Sequence, residues 1–198
     1  MARWQNLSLR SQLIVPVLVG GAIVVAAVVI VMSSVRNRTV EQAGVNTASA
    51  VAAQIVSLRG FYTDQIVTRA RIAGMNISHD FAGEDKTLPL PATMVKALGQ
   101  SLAADNPGMS VRLYSRFPFP FRAGSERYDE FGHQGLAALE REPAKPFWAI
   151  ETIDGRKSVR YAVADTMKES CVGCHNGHAL SPRKDWKAGD VRGAPQRV

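Results

Sequence analysis

A chain of 198 residues with 24 Lys and Arg against 17 Asp and Glu, a formal net charge of +7, has room for one soluble domain with a real core. The charge is no nucleic-acid signature, because residues 1–38 hold four Arg and no acid, residues 181–198 hold five basic and two acidic residues, and residues 39–180 hold 15 of each. Basic ends of this kind suit anionic lipid head groups or an acidic partner protein.

Leu13 to Met32 is a run of 20 residues without a charge. Roughly 20 apolar residues span a bilayer core, so residues 13–33 are expected to be a transmembrane anchor, with residues 1–12 as a cytoplasmic N-terminus. The run is apolar on every face, which does not suit a buried soluble helix. A cleaved signal peptide is the alternative. Its apolar stretch would be shorter, and Met32-Ser33-Ser34-Val35-Arg36 is a poor cleavage site. Arg3 and Arg10 before the span nearly cancel Arg36 and Arg38 after it, so flanking charge does not orient it. Gly20-Gly21 would let a second helix approach closely.

Residues 34–78 read as one long juxtamembrane helix leading into the domain. Val51, Ile55, Leu58, Tyr62 and Ile66 follow three- and four-residue steps, and Val40, Gly44 and Ala48 extend the seam backwards. A helix continuous with a membrane span makes a parallel homodimer through this seam an expectation. Leu88-Pro89-Leu90-Pro91 cannot continue a helix. A helix from Ala92 to Ala104, the turn Asn106-Pro107-Gly108 and a strand from Met109 to Tyr114 follow. Phe117-Pro118-Phe119-Pro120-Phe121 is too rich in proline for a central strand. It would wall a flat apolar cofactor or form a packed loop. A charged helix is expected over Ser125–Arg141. Then Phe147–Thr152 and Ser158–Ala164 flank Asp154-Gly155 as a hairpin. The order implies an α+β fold: an antiparallel sheet backed by helices.

A short helical turn at Met167–Ser170 delivers the chain to Cys171-Val172-Gly173-Cys174-His175, which uses both cysteines. C-x-x-C-H is the attachment pattern of one covalent c-type haem. Two thiols add to the two vinyl groups, and the next residue offers an imidazole to the iron. A dithiol redox motif would normally follow a βαβ pattern, and none precedes Cys171. A zinc site would have to pack Cys171, Cys174, His175 and His178 into eight residues, far tighter than structural zinc sites.

The segments Phe61-Tyr62-Thr63-Asp64, Leu88-Pro89-Leu90-Pro91-Ala92-Thr93, Met109–Ser115, Arg160–Asp165, Met167–Asn176 and Ser181–Gly193 together resemble the PAS-like haem c domain family. Such domains often form the periplasmic sensor portion of nucleotide cyclases, histidine kinases and chemoreceptors. The resemblance covers residues 48–194, leaving 195–198 as a tail. It implies a PAS-like sheet, one covalent haem c, and a soluble domain in the periplasm of a bacterial inner membrane, where c-type haem is attached. Members with output domains continue beyond the Asp190-Val191-Arg192-Gly193 block, whereas this chain stops at Val198. The expectation is therefore a module that senses through a partner, serves as an accessory subunit, or passes electrons.

On that reading Cys171 and Cys174 are the thioether anchors and His175 the proximal iron ligand. Asn176 and Trp186 should pack near the haem edge. Tyr62 and Arg112 are the candidate partners of the haem propionates. For the sixth iron position His79, His133, His178, Met75, Met109 and Met167 are all eligible, and an open or water-bound position is the alternative. No acid/base pair or nucleophile constellation is present, so an enzyme is not expected. Two functions remain: a redox or small-ligand sensing or accessory module, and a membrane-tethered monohaem electron-transfer protein. Expected partners are inner-membrane lipid and a redox or signalling protein, with no nucleic acid.

Overall fold

A run without charge from Leu13 to Met32 has no polar face to offer water, and a helix satisfies its backbone groups internally. In the computed structural model, which describes residues 9–124 and 129–197, this run lies in α1, a helix from Leu9 to Phe61 with Pro16 inside it. The chain divides into two compact units, Met1–Ala43 and Gly44–Val198. The described part of the first is helix alone, and its apolar side chains, Leu13, Val17, Leu18 and Ile23 among them, are exposed. It holds the stretch that is long and apolar enough to cross a membrane and lies near the N-terminus, a character shared by anchors and signal sequences.

In the second unit α1 gives way to a π-helical turn, Tyr62–Val67, and then to α2, Thr68–Ile72. Within the turn Thr68 Oγ1 donates to the Thr63 carbonyl five residues back, so the helical phase shifts there. The buried face runs through Ala48, Ala52, Ile55, Val67 and Ala70. The expected seam therefore holds from Gly44 to Ile55; Val40, at its expected start, is 66% exposed, and the seam fails again beyond Ile55. The inward position after Ile55 belongs to Arg59, whose guanidinium is neutralised by Asp165. Leu58 is 44% exposed, and Ile66 is exposed as well. The seam is also filled from within the chain: Tyr161, Val159 and Val163 pack against Ala48 and Ala52, and Val95 and Val111 against Ile55.

The expected helix to Ile77 stops early because Gly74, at φ +74°, closes a C-terminal cap. The Met75 amide donates to the Ala70 carbonyl at 2.9 Å. Next come β1 (Asn76–Ser78) and β2 (Thr87–Pro89), a short parallel pair. α3 (Pro91–Asp105) starts with proline at its first position, where no N–H is needed. β3 is Val111–Tyr114, followed by a 3₁₀ turn at Pro120–Arg122. α4 (Glu130–Arg141) begins at Asp129, whose side chain accepts from the Gly132 amide. The expected start of that helix at Ser125 lies outside the described residues. The hairpin forms as read, with β4 (Phe147–Ile153) and β5 (Arg156–Ala162) joined by Asp154 and Gly155, both at positive φ. β6 (Asp165–Thr166), α5 (Glu169–Gly177) and β7 (Val191–Arg197) complete the fold.

The main sheet has the order β3-β7-β5-β4, antiparallel throughout, and β6 pairs with the start of β7. Alternate residues of a strand face opposite sides. Tyr114, Ala162 and Ala194 thus meet Phe131, Leu136 and Leu139 of α4, while Val111 and Tyr161 face α1 and α3. The fold is α+β. A Cβ on Gly99 of α3 would strike the Val111 carbonyl, so the helix lies directly on β3. β7 was not legible as a strand, since Pro195 sits inside it. It is tolerated because pairing of β5 with β7 ends at Ala162 opposite Gln196; the Pro195 carbonyl still accepts from the Val163 amide.

The phase of the helix is directly testable. Ile55→Ala removes a side chain only 7% exposed and should cost about 2–5 kcal/mol. Leu58→Ala should cost less than about 0.5 kcal/mol. Urea unfolding of the full chain in detergent measures both, and equal losses would mean that the seam continues as the simple periodicity suggests.

Candidate functional site

Helical geometry brings residues three and four apart onto one face. Because α5 runs through the motif, Cys171, Cys174 and His175 share a face of that helix. Both thiols are unbonded; Cys171 is half-buried and Cys174 exposed. Arg71 Nη2 of α2 lies 3.9 Å from Cys174 Sγ.

His175 Nε2 is 3.1 Å from Arg192 Nη1. Arginine only donates, so Nε2 is the acceptor and its lone pair faces a cation. Burial holds the imidazole pKa below its ordinary value, and the charge of Arg59 adds to the effect. The ring is neutral at pH 7, as a metal ligand must be.

Behind the imidazole lies a charge cluster. Asp165 Oδ2 accepts from Arg59 Nη1 at 2.5 Å and from Arg192 Nη2 and Nε at 2.6 and 3.1 Å. The side chains of Arg59, Arg192 and Asp165 are only 11%, 12% and 14% exposed. Asp64 on the π turn accepts from Lys168 Nζ and Ser170 Oγ, which ties the turn to the start of α5.

Aromatic side chains frame the other sides. Phe119 is edge-on to His175 at 5.3 Å and to His178 at 5.1 Å, and it stacks on Phe121, against which His79 lies at 3.9 Å. The proline-rich segment therefore presents its rings to the motif. Asn176 and Trp186 join the motif to the following loop: Asn176 Nδ2 donates to the Trp186 carbonyl at 2.9 Å, and the Trp186 amide donates back to Asn176 Oδ1 at 3.0 Å. The indole packs T-shaped against His175 at 6.4 Å, with the Arg183 guanidinium over its face at 4.1 Å.

Tyr62 and Arg112 are placed elsewhere. The Tyr62 hydroxyl donates to the Pro89 carbonyl at 2.8 Å, and burial pushes its pKa up. Arg112 is exposed on β3, opposite Gln196. The arginines beside His175 are Arg59 and Arg192. Arg59 gave no signal, because it interrupts an apolar seam. Arg192 lay within the Asp190–Gly193 block but carried no assigned role.

Of the eligible sixth-position residues, Met167 is buried, Met109 packs into the core under α3, His133 is exposed on α4, and His178 Nδ1 accepts from the Leu180 amide. Among the described residues no three His, Cys, Asp or Glu side chains converge as a metal site, so the ligand set for zinc is not assembled.

Asp165→Asn leaves two poorly exposed guanidiniums without their shared anion and should cost about 3–5 kcal/mol. Asp185→Asn, at an exposed partner of Arg183, should cost less than about 1 kcal/mol. Urea unfolding of each variant compares them, and a small loss for Asp165→Asn would show that the cluster is not structural.

No curated protein and no solved structure matches the chain. The family model described as Tll0287-like (Tll0287) matches residues 36–196, which take in every element of this site. The chain belongs to the Tll0287-like family.

Proposed function

We propose that this chain is a membrane-anchored, periplasmic c-type haem protein that works as a redox or small-ligand sensing or accessory module. The observation that carries the reading is the face of α5: two unbonded thiols one turn apart, followed by a neutral imidazole whose Nε2 is an acceptor. That donor set fits a haem c. Cys171 and Cys174 would hold the porphyrin through thioether bonds, and His175 Nε2 would ligate the iron with the lone pair that Arg192 now faces. When bound, the haem would supply a redox-active iron. Phe119 and Trp186 shield the imidazole from water, and Asn176 keeps the Trp186 loop against α5. The exposed apolar helix at the N-terminus supports an anchor. With haem attached on the periplasmic side, the N-terminus would be cytoplasmic and residues from about 36 onward periplasmic. The partners would be inner-membrane lipid and a redox or signalling protein. A second copy joined through the long helix would have to use faces other than the filled seam.

Sensing is preferred to simple electron transfer because His175 is wired to the long helix. Iron on Nε2 would displace Arg192 from that lone pair, and Asp165 joins Arg192 to Arg59 of α1. A change at the ligand thus has a polar path into α1.

Expression with c-type haem maturation should yield one haem per chain that survives denaturation and acid–acetone extraction. Cys171→Ala with Cys174→Ala should abolish it, and His175→Ala should change the spectrum far more than His79→Ala or His133→Ala. A wild-type chain that releases all its haem overturns the proposal. Carbon monoxide binding to the ferrous protein, or a ligand exchange on reduction, is expected of a sensor. A six-coordinate spectrum in both redox states, indifferent to carbon monoxide, would assign electron transfer instead. A topology reporter fused after Val198 should be active only in the periplasm, and a soluble mature protein starting near residue 33–36 would show a cleaved signal.

A further inference from the structure

The donor accounting around His175 does not close. A guanidinium has five N–H donors and no acceptor. Arg59 uses one nitrogen, Nη1, on Asp165, and its Nε and Nη2 have no partner among the described residues. Arg192 engages Asp165 through two nitrogens and His175 through the third. Two positive charges, both about nine-tenths buried, thus share one carboxylate. His175 adds no negative charge, and its ring is the other acceptor that Arg192 touches among the described residues. Farther out, Lys168 pairs with Asp64, and Arg183 with both Asp185 and Asp190, a net of one negative charge whose outer carboxylate, Asp185, is 81% exposed to water. A second, independent observation points the same way. Trp186 is 3% exposed, and its Nε1 is buried without a hydrogen-bond partner among the described residues. A buried donor left unpaired is destabilising. The buried cluster beside the imidazole therefore carries one positive charge more than its carboxylate cancels, and the indole packed against the same ring holds a buried N–H without a partner.

We infer that Arg59 and Arg192 form a carboxylate-binding site next to His175. The ligand class is an organic carboxylate, because a planar two-oxygen anion takes paired N–H donors from guanidinium. Two sources share that chemistry: a propionate of a haem held by Cys171 and Cys174, and a free small dicarboxylate. The first rests on the haem reading above, whereas the second does not.

The test has two arms, both on the full chain in detergent. In the first, Cys171→Ser with Cys174→Ser, in a Trp148→Phe background, is titrated with succinate at constant ionic strength. Emission of the remaining tryptophans and the unfolding temperature are followed. If the free acid is the ligand, saturable changes appear. Arg192→Gln should weaken them by about tenfold or more, while Arg192→Lys, which keeps the charge, weakens them less. In the second arm the haem-loaded wild type is compared with Arg59→Gln and Arg192→Gln. The thioether bonds should retain haem in all three. The midpoint potential should fall in both variants, because each loses a positive charge that disfavours the ferric state, and Arg192→Lys should restore most of it. Loaded wild type should no longer respond to succinate if a propionate fills the site. Unchanged potentials together with no succinate response overturn the inference. Absence of covalent haem from the wild type would defeat the haem reading, and the succinate arm alone would then decide the inference.

Discussion

The Asp165 carboxylate, held between Arg59 of the long helix and Arg192 of β7, is the contact on which the site depends. Burying charges costs several kcal/mol per ion unless they are paired, so the three groups must meet, and their meeting sets the register of the elements that carry them. Apolar contacts would do this poorly. Ala48 and Ala52 are small and alike, and either would fit one turn along the sheet. The ion pair has one solution. Through Arg192 that solution also fixes the direction faced by the Nε2 lone pair of His175.

The π turn extends the same logic along the helix. It carries Asp64 against Lys168 and Ser170, and the following turn carries Arg71 against Cys174. Arg59, Asp64 and Arg71 thus meet the segment from Asp165 to Cys174 in order. Asp64 and Lys168 are well exposed, so their pair adds little stability. It orients the start of α5 instead. Irregular helical turns of this type recur at functional positions because they re-aim side chains that a regular helix would misplace.

The parts legible in the sequence are those with local signals. Asp154-Gly155 announced its hairpin, Pro91 the start of a helix, and Leu13–Met32 an apolar helix. The spacing of Cys171, Cys174 and His175 announced a shared face. Asn176 and Trp186 were placed by proximity in sequence, and they do clamp one another. What escaped was long-range or atypical. Arg59 sits at an inward helical position that a search for apolar periodicity treats as an interruption. Asp165 is bonded across more than a hundred residues to Arg59. Pro195 hides a central strand, because its missing N–H falls where the neighbouring strand has run out. Arg112 was a reasonable guess for the charge partner, since an arginine on a strand next to the core can turn inward. Arg112 is exposed even though it shares a face of β3 with buried Tyr114.

Among the described residues β7 is the last strand in chain order, yet it lies in the middle of the sheet and is the sole strand partner of β3. The β4–β5 hairpin can form from local contacts as soon as it emerges, but β3 has nothing to pair with until residues 194–197 have followed. Distant pairing of this kind is slow, because the intervening chain must close before contacts reward it. The cysteines at 171 and 174 precede that closure. During synthesis they therefore emerge in an incompletely folded chain, with the imidazole of His175 not yet faced by Arg192. The order of the strands leaves an interval in which the motif has no charge cluster behind it, and the arrival of β7 completes that cluster while Cys174 stays exposed.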